Sequence, residues 1–177
     1  MKKLLLTITA ILIFLFSATG CIGPGTGDWE YELPNGYAVW HINMECIQIV
    51  VVNYDANGKK TGGASNALPT SGSESTVVQF CHDDRYVGAQ VILREHFSSY
   101  YANSYPNRDI PENDENGNPM PRNRSAVPVS YYIIDTQENI IYGPYATSGE
   151  YVLELDEMGI ERMEWIGTYH EPEGAYR

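Results

Sequence analysis

Tyr86-Val87-Gly88-Ala89-Gln90-Val91-Ile92-Leu93-Arg94 alternates more cleanly than any other stretch of the chain, and a period of two means a strand covered on one face. Val87, Ala89, Val91 and Leu93 point one way from an extended backbone. Tyr86, Gly88, Gln90 and Arg94 point the other way, with Ile92 as the exception. The polar turn His82-Asp83-Asp84-Arg85 precedes it, and residues 76–81 before that are again strand-like, so the two runs form a hairpin.

Toward the N-terminus, residues 47–54 are a near-continuous run of Ile and Val, the mark of a central strand buried on both sides. Residues 37–44 carry apolar side chains on both faces near their start and are expected to be covered twice. Trp29-Glu30-Tyr31-Glu32-Leu33 alternates apolar and acidic residues before the turn Pro34-Asn35-Gly36. Asp55-Ala56-Asn57-Gly58 ends the Ile/Val run as a hairpin-type turn, and residues 59–75, rich in Gly, Ser, Thr and Asn, read as a mobile loop.

Toward the C-terminus, residues 98–128 contain Pro106, Pro111, Pro119, Pro121 and Pro128 among many Asn and Asp residues, a composition that predicts a long irregular loop. A second hairpin is expected from residues 129–135 and 139–142 around Thr136-Gln137-Glu138, stopped by Gly143-Pro144. Thr147-Ser148-Gly149-Glu150 matches a capping box. Tyr151, Val152, Leu155 and Met158 then share a helical face, and Gly159 is a stop. The same residues also alternate as a strand would; the helix is the favoured reading. A last strand around Met163 and Trp165 and a frayed tail over residues 171–177 complete the chain. The expectation is a mainly β domain over residues 29–170, an antiparallel sheet or small sandwich of hairpins with one short C-terminal helix.

Residues 1–21 speak about location. Lys2 and Lys3 precede an apolar run over residues 4–16, then Ser17-Ala18-Thr19-Gly20 are small and Cys21 follows. Small side chains before the cut suit the narrow groove of a signal peptidase. A cysteine directly after them resembles a lipobox, in which the thiol takes a diacylglyceryl group and becomes the new N-terminus. The departure is Ala18, where leucine is commonest. The apolar run is short for a membrane span, which needs about 20 residues. Residues 1–20 are therefore expected to be a lipoprotein signal peptide, Cys21 the lipidation site, and residues 21–28 a Gly-rich flexible tether. The resulting localisation is the extracytoplasmic face of the cell membrane.

The full chain has 11 basic and 23 acidic residues; removing Lys2 and Lys3 with the leader takes the formal charge from −12 to −14. Such a domain is repelled by nucleic acid and by anionic headgroups, which excludes nucleic-acid binding and suits a body held off the membrane. Cys46 and Cys81 remain in the mature part and, in an exported domain, are candidates for a disulfide that would stabilise by roughly 4 kcal/mol. Two buried thiols are the alternative.

Two pieces of sequence, Cys81-His82-Asp83-Asp84-Arg85-Tyr86-Val87 and Tyr131-Tyr132-Ile133-Ile134-Asp135-Thr136 with Ile141-Tyr142-Gly143-Pro144, together with Glu157-Met158-Gly159-Ile160, the lipobox and the Pro-rich gap, resemble a family of small lipoproteins of Gram-positive bacteria. That family is known only as a domain of unknown function. The resemblance implies surface attachment and the hairpin order above, and it transfers no catalytic residue.

The chemical constellations are weak. His41, Cys46, Cys81 and His82 do not have the spacing of a zinc module, and adjacent Cys81 and His82 would point to opposite sides of a strand. Glu112-Asn113-Asp114-Glu115-Asn116-Gly117 resembles the opening of a calcium loop, but Asn123 stands where a bidentate carboxylate is needed. Neither a metal nor a cofactor is expected. Asp83 and Asp84 are expected to satisfy turn backbone groups and to pair with Arg85. Tyr100, Tyr101 and Tyr105 are either partner contacts or rings that pin the long loop to the sheet. The expected role is non-catalytic binding of an envelope protein or glycan. The alternatives are a cell-wall hydrolase using carboxylates such as Asp83 or Glu95, and an immunity- or inhibitor-type lipoprotein that neutralises a basic protein.

Overall fold

A computed structural model describes residues 28–43, 45–69, 74–104 and 127–176. Strands β1 (Trp29–Glu32), β2 (Tyr37–Asn43), β3 (Cys46–Tyr54) and β4 (Lys60–Asn66) form an antiparallel sheet in the order β1-β2-β3-β4. Strands β5 (Ser75–His82), β6 (Tyr86–Leu93), β7 (Ser130–Asp135), β8 (Ile140–Tyr145) and β9 (Ile166–Gly167) form a second antiparallel sheet, ordered β8-β7-β6-β5-β9. Helices α1 (Phe97–Ser104) and α2 (Ser148–Met158) follow β6 and β8. The expected mainly β fold is present, and of its two forms it is the sandwich.

The layer between the sheets explains why. Trp29, Tyr37, Val39, Ile47 and Ile49 from the first sheet meet Val77, Phe80, Val87, Ala89, Val91, Tyr132 and Ile134 from the second in one buried cluster. These strands present alternate residues to that layer except β5, where a bulge between Val77 and Gln79 brings both Val77 and Phe80 onto it, and at about 25 cal/mol per Å² of apolar surface their burial is the largest favourable contribution to folding. Strand β3 lies between β2 and β4, as its apolar run predicts, with Ile47 and Ile49 facing the second sheet and Val50 and Val52 in a separate cluster with Ala38 on the far face.

The second sheet is covered on its other face too. Val78 and Ile92 pack with Phe97 and Tyr101 of α1. Ile133 packs with Tyr151 and Leu155 of α2 and with Ile160. This resolves the irregularity in β6: Ile92 is buried under α1, whereas Leu93, the last residue of the ladder, opposite Ser75, is 49% exposed. Gly88 lies beneath α2, and a Cβ there would collide with the Tyr151 hydroxyl and the Cys81 thiol.

Helix α2 is closed at both ends by local chemistry. The Thr147 hydroxyl accepts from the Glu150 N–H at 3.2 Å and the Glu150 carboxylate accepts from the Thr147 N–H at 3.3 Å, a complete capping box. Gly159 ends it in the left-handed region at φ 68°.

Four expectations are corrected. Residues 60–66 are strand β4 rather than part of a loop, because the β3 edge offers a ladder in which Val50, Val51 and Val52 pair with Asn66, Ser65 and Ala64; tertiary pairing overrides poor strand propensity. Residues 97–104 are helical because they precede the first proline and place Phe97 and Tyr101 one turn apart on the same face. Strand β8 continues through Pro144, joined to Gly143 by a cis peptide, which an edge strand tolerates. The tail does not fray throughout: Glu30 and Tyr176 exchange both backbone hydrogen bonds at 2.8 Å. The last strand is only the two residues of β9, held where the fully buried Thr168 hydroxyl donates to the Val77 and Val78 carbonyls.

Replacing Gly88 by Ala should destabilise the domain by about 1–3 kcal/mol through overpacking beneath α2. Gly149→Ala, whose new Cβ would make only ordinary contact with Thr147, should leave the urea midpoint no lower. Equal midpoints for the two variants would refute the close approach of α2 to β6.

Candidate functional site

The turns at one end of the sandwich hold the buried residues Asp135 and Thr136 in one hydrogen-bonded group. Asp135 ends β7 and is only 2% exposed. Its Oδ2 accepts from Arg85 Nε at 3.0 Å and also from Arg85 Nη2, while its Oδ1 accepts from the Gln137 and Glu138 N–H groups at 3.1 Å. Arg85 therefore pairs with Asp135 and not, as the sequence suggested, with its neighbours Asp83 and Asp84. Asp83 does satisfy its turn: its Oδ1 accepts from the Arg85 N–H at 2.7 Å and the Tyr86 N–H at 2.6 Å. The Arg85 guanidinium holds the Asp135 carboxyl below the usual carboxylate range, helped by the two backbone donors and opposed by burial.

This knot joins the two sheets. Asn35, in the turn between β1 and β2, donates to the Thr136 hydroxyl at 2.8 Å, and Thr136 in turn donates to the Arg85 carbonyl. The Tyr37 hydroxyl donates to Asn139 Oδ1 at 2.9 Å. Every charged or polar group named here is engaged with another part of the fold, so the knot is a structural clamp.

No disulfide joins Cys46 and Cys81 in this structure. Cys46 opens β3 in the first sheet, whereas the Cys81 Sγ lies beneath α2, 3.6 Å from the Tyr151 hydroxyl, on the far face of the second sheet. Burial pushes the Cys81 thiol up to about 11 and raises the Tyr151 hydroxyl as well. The other members of the four-residue His/Cys set are dispersed likewise. His41 is buried and stacked on Trp29, with ring centroids 4.9 Å apart, and burial lowers its pKa. His82 Nε2 is 3.0 Å from the Tyr31 hydroxyl. Among the described residues no three His, Cys, Asp or Glu side chains gather where a metal could be held.

The carboxylates considered for hydrolysis are also far apart. Asp83 precedes β6 and Glu95 follows it, so the eight-residue strand separates them by about 26 Å. Both are exposed. Between the sheets, Ile47, Leu68, Thr76 and Val91 help to line a cavity of about 10 Å³, room for roughly one water molecule. Tyr101 is buried against Phe97 and Tyr169, and Tyr100 is half-buried against it. These two rings anchor α1, which takes Tyr101 out of the candidate contact surface. Cys21, Tyr105 and the 112–123 segment lie outside the described residues.

What the sequence did not single out is the outer edge of the second sheet. Among the described residues no strand pairs with the far side of β8. Ile140 is 45% and Ile141 38% exposed there. Ile141 pairs with Ile134, which faces the inter-sheet core, so β8 carries that apolar face out beyond the covered layer. Helix α2 lies alongside: Tyr145 of β8 bonds to Glu154, and burial together with Glu154 and Glu157 pushes the Tyr145 hydroxyl up to about 12. The alternation of β8 is interrupted by Gly143 and Pro144, which is why the run reads as a strand that stops. Comparison with protein-family models, with curated proteins and with solved structures returns no match.

Two outcomes follow for the clamp and the thiols. Asp135 titrates lower in the folded chain than in the unfolded one, so its contribution is complete above about pH 4 and is lost as pH falls through the folded value. Asp135→Asn should lower the urea midpoint at pH 7 and flatten its decline below about pH 4; a decline as steep as that of the parent would contradict the pairing. In native protein at pH 8, iodoacetamide should modify Cys46 well before Cys81, and unfolding without reductant should make Cys81 reactive. A Cys81 that stays unreactive after unfolding would instead indicate a disulfide.

Proposed function

We propose that this chain is a lipid-anchored extracytoplasmic domain that binds an envelope partner and catalyses no reaction. The single observation that carries the binding role is the uncovered β8 edge, with Ile140 and Ile141 exposed on a sheet that is otherwise covered on both faces. Exposed apolar edges are usually blunted, because they invite pairing with other chains. Pro144 blunts the end of β8; the part before it, left open beside a helix, fits a surface that meets another molecule. The anchoring rests on the sequence Ser17-Ala18-Thr19-Gly20-Cys21 and its basic and apolar leader, and the likeness to small Gram-positive lipoproteins supports it. Two or more acyl chains at Cys21 would anchor the domain stably, at roughly 0.8 kcal/mol per buried methylene.

A narrower reading is favoured by the charge around that edge. Residues 137–165 contain seven acidic side chains and one basic, Arg162. An inhibitor-type lipoprotein that captures a basic protein would use such a surface.

Metabolic labelling with an alkynyl fatty acid should mark the native chain and not Cys21→Ser, and the variant should leave the membrane fraction. Crosslinking in cells should trap one dominant partner with the native chain and lose it with the variant. Equal labelling of both chains would sink the anchor; a labelled chain with no specific crosslink would sink the binding role.

A further inference from the structure

We infer that the occupant of the β8 edge is a cationic, extended segment of a partner polypeptide, which adds to the second sheet as a further strand. This rests on the binding role proposed above and names the chemistry of the partner. Three observations converge. The outer side of β8 is the unpaired end of the five-stranded sheet among the described residues, so its outward backbone groups are available for a ladder. The apolar side chains on it, Ile140 and Ile141, are on adjacent positions and therefore on opposite faces, so an added strand would find an apolar neighbour above and below. The third is charge: Glu138 stands in the turn before β8, and Glu154, which bonds Tyr145, and Glu157 stand on α2 beside it.

Complementarity selects the occupant. A strand with alternating β-branched and basic residues would set its apolar side chains beside Ile141 on the inter-sheet face, while its Lys or Arg side chains, on the α2 face with Ile140, would lay their aliphatic stems on Ile140 and reach the α2 carboxylates. An acidic segment would be repelled, and the formal charge of −12 over the whole chain disfavours a second copy of this protein on the same edge. Pro144 has no N–H and limits the ladder to the first part of β8, residues 140–143, which makes the docked segment short.

The test uses the full-length chain in neutral detergent and a synthetic twelve-residue peptide of alternating Val and Lys. Three controls accompany it: the same peptide N-methylated at alternate residues, a Val/Glu peptide, and a neutral cell-wall oligosaccharide. Val/Lys should bind saturably, shift the amide resonances of residues 140–143, and weaken tenfold or more on raising salt from 50 to 500 mM. The N-methylated and Val/Glu peptides should fail to bind. Glu154→Gln with Glu157→Gln should weaken Val/Lys several-fold and reduce its salt dependence. Equal binding of the N-methylated peptide, or amide shifts away from β8, would overturn strand addition. Preferential binding of the oligosaccharide would overturn the polypeptide occupant while leaving the broader binding role intact.

Discussion

Strand β6 has to be buried on both faces, and the rest of the domain is arranged to meet that demand. Val87, Ala89 and Val91 need the first sheet above them. Ile92 needs α1, and Gly88 leaves room for α2 to bring Tyr151 down onto the sheet. A single sheet would leave one of these sets in water, and each buried aliphatic side chain left exposed costs roughly 1.5–3 kcal/mol. The sandwich and its two helices are the arrangement that covers both sets. The same demand fades toward the edges, where β8 extends beyond the covered layer.

The ionisable groups sort by what they do for that arrangement. Arg85 and Asp135 close the ends of two hairpins, and Asn35, Thr136, Tyr37 and Asn139 tie those hairpins to the opposite sheet. Cys81 and Tyr151 face each other beneath α2. Lys60 pairs with Glu30 and lies over the rings of Trp40 and Tyr176, fastening the C-terminal residues to β1. Among the described residues, Asp156, Glu157, Glu161 and Glu164 lie on α2 and just after it, near the apolar β8 edge.

Much of this was legible in the chain. Period-two alternation marked β6, the Ile/Val run marked β3, and Thr147 with Glu150 and Gly159 marked both ends of α2. The failures have physical causes. Strand β4 has no apolar pattern of its own, because it is held by backbone pairing to β3, and a composition of Gly, Thr and Ser resembles a loop. Helix α1 is short and sits against a proline-rich stretch that dominated its reading, although Phe97 and Tyr101 at helical spacing carried the signal. The Arg85–Asp135 pair spans fifty residues, so only the fold reveals it; a local partner such as Asp83 is the natural guess from sequence. The exposed edge was hidden for a related reason: Ile140 and Ile141 look like core residues until the sheet order places them outside it.

As proposed, a domain tethered at Cys21 that binds a basic strand along β8 makes one demand above the others, which is that the edge be occupied where the protein works. Amide hydrogen exchange of residues 140–145, measured in membranes isolated from the native host and again in the purified chain in detergent, tests this directly. Slower exchange of β8 in the membranes, with β3 and β6 unchanged, is the result expected if a partner strand is paired there. Identical exchange of β8 in the two preparations would contradict the account.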